Sequence, residues 1–169
     1  MIKTTSGFTI VELLIVIVVI AILAAITIVA YNGIQGRAQD STIKADITTL
    51  MKKLELYKID HSDTYPMNNN DLNALNMRIS GGAYDTTTTM RNALYCFTSD
   101  GSAYAYLAKS KSGNAFIVTN TSPQIQPFTT TWTPATGASG LCSGLGAPFS
   151  ISASTGFYSS WNPWTNYSQ

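Results

Sequence analysis

An almost uninterrupted apolar segment dominates the N-terminal part of the chain. Every residue from Leu13 to Ile26 is apolar, and Glu12 is the only charged residue between Phe8 and Tyr31. As a helix that rises about 1.5 Å per residue, this segment would span about 36 Å, which exceeds the hydrocarbon core of a bilayer at about 30 Å. The pattern therefore predicts a membrane-spanning helix, and a carboxylate inside such a helix indicates a function.

The helical pattern continues beyond Tyr31 but becomes one-sided. Apolar residues recur three or four positions apart, which is the period of an amphipathic helix. Gly33 and Gly36 mark a weak point, and Pro66 disfavours a helical conformation in the residue before it. We therefore expect one helix from Phe8 to Asp60, apolar all round in its first half and amphipathic in its second. The apolar positions of the second half are Ile43, Ile47, Leu50, Leu54 and Tyr57.

The rest of the chain alternates between short strand-like segments and turns. Asp71 is expected to cap a short helix from Leu72 to Met77, which Gly81 and Gly82 would end. Three strand candidates separated by polar turns then predict an antiparallel meander, one face of which packs on the amphipathic helix. The candidates are Ala93 to Thr98, Ala103 to Ala108 and Ala115 to Asn120.

From Pro123 onward the sequence is rich in Thr, Ser, Gly and Pro, with scattered aromatic residues and poor periodicity. Because so many aromatic residues disfavour disorder, we expect ordered, mostly irregular structure there. One or two further strands are predicted, Phe149 to Ala153 and Thr155 to Ser159. The last aromatic residues could form an adhesive patch, contact a neighbouring copy or pack on the same domain; they are Trp161, Trp164 and Tyr167.

The chain resembles the type IV pilins and pseudopilins in the segment from Gly7 to Leu14, which reads GFTIVELL. The resemblance implies that a prepilin peptidase cuts between Gly7 and Phe8 and that Phe8 is then N-methylated. It also implies that Glu12 acts in assembly by pairing with the Phe8 amine of a neighbouring copy. The alternative is an uncleaved signal anchor with an incidental Glu, since an ordinary secretory signal would place its cleavage site after the apolar segment.

The resemblance also implies a fold and a domain order. The expected fold is α+β and pilin-like: one long N-terminal α-helix packed under an antiparallel β-sheet head, with an irregular C-terminal region stapled by a disulfide. Residues 1–7 would be the leader, 8–31 the transmembrane and filament-core helix, 32–62 its amphipathic half and 63–169 the globular head. Many pilins carry a proline in the apolar half of this helix, whereas the first proline here is Pro66.

The chain has two cysteines, Cys96 and Cys142. A membrane anchor with the bulk of the chain outside the cell places both in a compartment where disulfides form. Many major pilins staple a C-terminal region with one disulfide, and this pair resembles that staple. A bond between them would close a loop of about 45 residues and contribute a few kcal/mol. The alternative is two free buried thiols; a zinc site is disfavoured because the chain has one histidine.

Composition excludes several classes of function. Charged residues make up 11% of the chain and the formal net charge is +1, so there is no global basic field for nucleic acid or acidic lipid. No pattern of Ser, Cys or carboxylate residues accompanies His61, and we expect no enzyme, no cofactor and no catalytic residue.

Two weaker hypotheses concern calcium binding by acidic residues near the helix end and nucleic-acid contact by lysines beside aromatic rings. Solvation at the helix end and capping also explain the acidic set, and two lysines on a turn are far more often simply solvated. The acidic set is Asp60, Asp63 and Asp71, and the basic set is Lys109 and Lys111 near Tyr104, Tyr106 and Phe116.

The expected function is that of a structural subunit of a type IV pilus filament that serves adhesion, motility or DNA uptake. Its partners would be copies of itself, the prepilin peptidase and methyltransferase, and the assembly platform with its ATPase. The precursor would cross the cytoplasmic membrane once, and the mature chain would join an extracellular filament. A pseudopilin of a type II secretion or competence system is the nearer alternative, and a membrane-tethered extracellular binding domain is the alternative from another class. The long, aromatic tail with its expected disulfide favours the pilus.

Overall fold

The computed structural model of the protein describes residues 7–85, 92–130, 138–145, 149, 151–153 and 165–168. The chain divides into two compact units, one that ends at Gly36 and one that begins at Arg37. A single helix, α1 (Ile10–Asp60), contributes to both. The predicted helix, Phe8 to Asp60, is right at its C-terminal end and slightly too long at its start.

The described part of the first unit is an apolar helix without a core of its own. Its large apolar side chains from Leu13 to Val29 are 47% to 74% exposed and point outward on every side. The helix is long and apolar enough to span a membrane, with a mean hydropathy of 3.4 in its most apolar window. Apolar surface of this extent is unfavourable in water. The first unit therefore needs lipid or protein around it.

Helix α1 ends in a turn whose N–H groups donate hydrogen bonds to one of the last carbonyls of the helix. The carbonyl of Lys58 accepts from the N–H groups of His61 and Asp63 at 3.3 and 3.1 Å. Ser62 and Asp63 take positive φ values of 53° and 67°, a left-handed conformation that is typical of a helix C-terminus. The chain then leaves toward Pro66, as the sequence predicted.

A short second helix, α2 (Asn69–Ala74), follows this turn. Its N-cap is Asn68, whose side-chain oxygen accepts from the N–H groups of Asn70 and Asp71 at 2.9 and 3.0 Å. The predicted cap, Asp71, lies in the first turn instead, where its carboxylate accepts from the side-chain amide of Asn68 at 2.8 Å. The predicted cap is wrong because four adjacent residues, all Asn or Asp, are each good N-caps.

The predicted end of this short helix is also wrong, because Met77 begins a strand. Strand β1 (Met77–Ser80) pairs in parallel with β7 (Thr165–Ser168), which lies at the other end of the sequence. The N–H of Ser80 donates to the carboxylate of Asp46 on α1 at 2.8 Å. This bond ties the strand to the helix, and a 3-10 turn follows at Gly81–Ala83.

An antiparallel sheet forms the centre of the second unit. Its strands are β2 (Ala93–Phe97), β3 (Tyr104–Lys109), β4 (Ala115–Thr119), β5 (Gln126–Pro127) and β6 (Ile151–Ala153). Within the described residues the order in space is β5–β4–β3–β2–β6, with antiparallel pairing throughout. Strands β2, β3 and β4 confirm the predicted meander, with ends that differ by one residue.

The two strands predicted near the C-terminus have different outcomes. The prediction of Phe149 to Ala153 is right for the three residues of β6. The predicted strand from Thr155 to Ser159 lies outside the described residues, as do Trp161 and Trp164, whereas Tyr167 belongs to β7.

One face of the sheet packs on α1, as predicted. The helix contributes Ile43, Ile47, Leu50 and Leu54, each at most 1% exposed. Since side chains alternate between the faces of a strand, every second residue of the central strands meets this stripe. These residues are Ala93, Tyr95, Phe97, Tyr104, Tyr106, Ala108, Phe116 and Val118.

The other face of the sheet is buried as well, which the sequence did not predict. Leu94, Cys96 and Leu107 lie on this face and are covered by residues of the C-terminal region, among them Cys142 in α3 (Ala138–Gly144). A disulfide joins Cys96 to Cys142, with their Cα atoms 5.6 Å apart. The alternative of two free thiols is therefore wrong, and the bond holds the C-terminal cover on the sheet.

The turn between β2 and β3 joins the sheet to the end of α1. Gly101 adopts a φ of 69°, and a Cβ atom there would lie 3.1 to 3.2 Å from atoms of Met67, Thr64 and Tyr65. The carbonyl of Gly101 accepts from the N–H of Tyr65 at 2.8 Å. Only glycine suits both the φ and the available space, so this contact fixes where the chain leaving α1 meets the sheet.

The turn between β3 and β4 is held by Asp40 on α1. The carboxylate of Asp40 accepts from Oγ of Ser112 at 2.5 Å and from Nδ2 of Asn114 at 2.7 Å. Burial by itself would raise the pKa of this carboxyl, but hydrogen bonds from Ser112, Ser110 and Asn114 and the charge of Lys44 bring it below the ordinary value. The folded state therefore favours the ionised form of Asp40.

Removing the disulfide should destabilise the second unit. In a Cys96→Ala/Cys142→Ala variant we expect the free energy of unfolding to fall by about 2–4 kcal/mol, because the cross-link reduces the entropy of the unfolded chain. Chemical denaturation of the full chain in detergent, followed by near-UV circular dichroism, measures this change. The wild-type chain under reducing conditions is the control, and a loss below about 0.5 kcal/mol would contradict the expected role.

Replacing Asp40 should remove a pH-dependent part of the stability. Because the pKa of Asp40 is lower in the folded chain, its contribution is present above the unfolded value of about 3.9 and is lost as the pH falls through the folded value. We expect Asp40→Ala to lose about 1 kcal/mol at neutral pH and to converge on the wild type in strong acid. Denaturation curves across this pH range measure the difference.

The matched control for this prediction is Ser112→Ala, which removes only one of the hydrogen bonds to the Asp40 carboxylate. Its loss of stability should be smaller than that of Asp40→Ala. A difference between Asp40→Ala and wild type that stays constant with pH would show that ionisation of Asp40 does not contribute.

Candidate functional site

The N-terminal residues that the sequence singled out lie just before and within the first turn of α1. Gly7 and Phe8 precede the helix, and the Phe8 side chain is 81% exposed. With respect to the residues that the structure describes, the space around Gly7 is open, since a Cβ atom there would meet none of them within 4 Å. The described contacts around this position do not themselves require glycine.

Glu12 forms a reciprocal cap with Thr9. Oε2 of Glu12 accepts from the N–H of Thr9 at 2.8 Å and from its hydroxyl at 2.7 Å, while the N–H of Glu12 donates to Oγ1 of Thr9 at 3.2 Å. This arrangement is a capping box, in which the N-cap residue and the residue three positions later satisfy each other's free N–H groups. The signal is present in the sequence as Thr9-Ile-Val-Glu12, and the sequence-based interpretation missed Thr9.

The cap leaves part of the Glu12 carboxylate available. Oε1 accepts no hydrogen bond within the described residues, and a carboxylate can accept several bonds through its two oxygens. A cation from another molecule can therefore pair with Oε1 while Oε2 keeps its bonds to Thr9. Capping of the helix and pairing with a neighbouring amine are compatible roles for the same side chain.

His61 takes part in the end of α1. Its ring stacks on the ring of Tyr57, with centroids 3.7 Å apart and planes inclined by 4°. Nδ1 of His61 lies 2.8 Å from the carbonyl oxygen of Tyr57, so the ring N–H donates to one of the last carbonyls of the helix. The contacts of His61 are those of a helix-terminating residue.

The three carboxylates considered for calcium occupy the helix end and the adjoining cap. Asp63 pairs with Lys58 at 3.4 Å, Asp71 belongs to the cap of α2, and Asp60 is the last residue of α1. In the part of the chain that the structure describes, no three His, Cys, Asp or Glu residues gather as a metal site requires.

The hypothesis of nucleic-acid contact through lysines and adjacent aromatic rings is wrong in its aromatic part. Tyr104, Tyr106 and Phe116 face the core and are 1%, 1% and 6% exposed, so their rings cannot stack on a base. Lys109 pairs with Asp85 at 3.5 Å. The sequence did not reveal this, because the face of each strand that meets α1 depends on the packing of the sheet.

The fold and the N-terminal residues define a class of protein. A long helix, apolar in its first half and packed against an antiparallel sheet in its second, follows a Gly-Phe pair and carries Glu12 in its first turn. This is the architecture of a pilin-like protein, a class that contains type IV pilins and pseudopilins.

Two family models match the chain. Residues 2–28 match the prokaryotic N-terminal methylation motif, and residues 30–124 match type II secretion system (T2SS), protein G. The second match covers more than half of the chain, and the chain belongs to the protein G family. The matched region ends before Cys142, so the C-terminal cover of the sheet lies beyond it.

Individual relatives include both secretion and pilus proteins. The type II secretion system core protein G of Pseudomonas aeruginosa is 30% identical over 113 residues, which are 66% of this chain and 79% of that protein. The type IV wide pilus major component PilA4 of Thermus thermophilus is 38% identical over 76 residues, 45% of this chain and 57% of that protein.

The type II secretion system core protein G of Vibrio cholerae is 33% identical over 73 residues, 43% of this chain and 49% of that protein. The chain thus spans only about half of several of its relatives. No solved structure matches the chain at a significant level.

Proposed function

We propose that the chain is a repeating structural subunit of a type IV pilus filament, polymerised through the apolar half of α1. The observation that carries this proposal is the first unit, whose large apolar side chains are about half or more exposed on every side of the helix. Lipid covers this surface before assembly, and the same helices of other copies cover it in the filament. The function is therefore structural, in keeping with the pilin and pseudopilin relatives.

Assembly of such a subunit requires outside work. Transfer of the apolar helix from lipid to a helical bundle gains little free energy, because lipid is already apolar. The subunit therefore depends on an assembly platform and an ATPase in the cytoplasmic membrane. The corresponding division of the chain is a leader (1–7), a transmembrane and filament-core helix (8–31), an amphipathic half (32–62) and a head (63–169).

Processing is proposed at the bond between Gly7 and Phe8, followed by N-methylation of Phe8 by the prepilin peptidase and methyltransferase. The match of residues 2–28 to the methylation motif supports this step, as does the open space around Gly7. The cut creates an amine at Phe8. We assign the partner of that amine to Oε1 of Glu12 in the next copy, where the pair lies in a medium of low polarity that strengthens it.

A surface pilus is favoured by the C-terminal region beyond residue 124, where Cys142 is linked to Cys96 and a cover lies on the outer face of the sheet. The similarity to a wide pilus component points the same way. A pseudopilin of a type II secretion system is the second candidate. It is favoured by the match of residues 30–124 and by the similarity to core protein G of Pseudomonas aeruginosa.

Mass spectrometry of protein sheared from the surface of native cells tests the proposal. We expect polymeric material whose chain begins at methylated Phe8, with Cys96 and Cys142 linked. A Gly7→Val variant, which the open space around this position accommodates, should stay uncut and monomeric in the membrane.

The outcomes separate the candidates. Processed chain found in membranes but absent from sheared material would favour the pseudopilin. A wild-type chain that still begins at Met1 in the membrane would contradict both the pilus and the pseudopilin. It would favour a membrane-tethered binding domain instead.

The assembly role of Glu12 can be separated from its capping role. Glu12→Gln retains an oxygen that accepts the bonds from Thr9 but removes the charge, so we expect sheared filament to fall about tenfold or more. The amount of processed chain in the membrane should not change. Thr9→Ser is the matched control, because it keeps the capping hydroxyl and should assemble as the wild type does. Normal filaments from Glu12→Gln together with loss in Glu12→Ala would assign Glu12 to capping alone.

A further inference from the structure

The second unit has two ends that differ in their charged residues. We call the lower end the first helical turns of this unit together with the β3–β4 turn, which Asp40 joins. We call the upper end the last turns of α1 together with the β2–β3 turn, which Gly101 joins to the exit of the helix. The lower end carries Arg37, Asp40, Lys44 and Lys111, and the upper end carries Lys58, Asp60, Asp63 and Asp100.

These two groups give the second unit a charge difference from end to end. Three cations and one carboxylate make the lower end net positive by two, and three carboxylates and one ammonium make the upper end net negative by two. The other charged residues described in this unit are equal in number and cancel: Asp46, Glu55, Asp71 and Asp85 against Lys52, Lys53, Arg78 and Lys109. Among the described residues of this unit, the charge imbalance therefore lies at the two ends.

The upper end also presents an apolar surface. Leu56 and Ile59 on α1 are 63% and 76% exposed, although they lie in the half of the helix that carries the head. Together with Asp60 they stand at positions i, i+3 and i+4, so all three share one face of the helix. This face combines two apolar side chains with a carboxylate at its tip.

The lower end contains a pocket whose lining complements the carboxylate and the apolar side chains of the upper end. A cavity of about 370 Å3 opens where α1 meets β4 and β5, and its lining includes Lys44, Phe116, Pro127 and Phe128. Nζ of Lys44 lies 5.0 Å from the centre of the Phe116 ring. Phe116 is only 6% exposed and lies under the Lys44 ammonium, so Pro127 and Phe128 offer the surface for an apolar side chain. The ammonium of Lys44 can pair with a carboxylate from another copy, because Asp40, which also lines the pocket, is already held by Ser112 and Asn114.

We propose that the upper face of one copy, Leu56, Ile59 and Asp60, docks on the lower pocket of the next copy, with Asp60 paired to Lys44. This contact rests on the proposed filament function. The occupant of the pocket is a second copy, because the chain itself carries both the acidic, apolar face and the basic pocket with apolar lining. Lys44 and Asp60 are about 24 Å apart along α1 at 1.5 Å per residue, so a single copy cannot join them.

The direction of insertion makes the contact an open one. All copies enter with α1 pointing the same way across one membrane, so two copies cannot turn end to end and exchange both contacts. A contact between two different surfaces of identical chains forms a ring when its rotation closes and a filament when it does not. Here the contact joins the upper end of one copy to the lower end of the next, so each copy is displaced along the helix axis and the series stays open. Because the paired groups lie near solvent, the contact should weaken as salt concentration rises, since charges are screened over about 8 Å at physiological ionic strength.

Cysteine cross-linking of the full chain in native cells tests this contact. In a Lys44→Cys/Asp60→Cys variant, oxidation should produce a ladder of products that extends beyond the dimer. Each single variant should give no ladder, because one cysteine cannot link more than two chains. The matched control is Lys52→Cys/Asp60→Cys, whose lysine lies on the same helix but away from the lower end; it should also give no ladder.

The outcomes distinguish failure of this contact from failure of the proposed filament function. A product that stops at the dimer in the double variant would mean a closed contact and overturn the proposal. Filaments that contain the double variant but show no cross-link would overturn this contact and leave the filament function standing. A wild-type chain that enters no filament would overturn both.

Charge reversal gives an independent measurement. Lys44→Glu and Asp60→Lys should each reduce the amount of sheared filament about tenfold, because like charges then face each other across the contact. Combining the two reversals should restore most of the filament, whereas Lys52→Glu should have little effect. A combined variant that assembles no better than either single one would contradict the pairing.

Discussion

The apolar surface of one long helix is the constraint on which the rest of this structure depends. In the second half of α1 the stripe from Ile43 to Leu54 is narrow enough for a small sheet to cover, and the core forms there. In the first half the helix is apolar all round, and no described residue of the first unit covers it. The same hydrophobic effect therefore stabilises a folded unit around the second half of the helix. In the first half it favours burial of the helix in lipid or among other copies.

The sheet that covers the helix is itself buried on both faces. Cys96 points away from α1, and its bond to Cys142 holds the C-terminal cover in place. Asp40 and Gly101 attach the two turns of the meander to opposite ends of the second unit's part of the helix. The orientation of the sheet along α1 is thus set at both ends, and it places Lys111 beside the first helical turns of this unit and Asp100 beside the exit of the helix.

Glu12 shows how one carboxylate can serve the fold and an interaction together. In the isolated chain it closes a capping box with Thr9, which satisfies N–H groups that a helix start leaves open. One of its oxygens is left for a partner. A helix start placed in lipid has no water to satisfy those N–H groups, and the cap satisfies them instead. The proposed intersubunit pair does the same for the remaining carboxylate oxygen and for the amine.

The sequence by itself determined the features that depend on neighbours along the chain. The apolar segment, the period of the amphipathic half, the helix end before Pro66 and the meander all follow from local patterns, and the motif at Gly7 indicated the class. Tertiary structure alone decided that β1 pairs with β7 and that Tyr104 and Tyr106 lie in the core. These features depend on contacts between residues far apart in the chain, where several local choices have similar free energy and packing selects one of them.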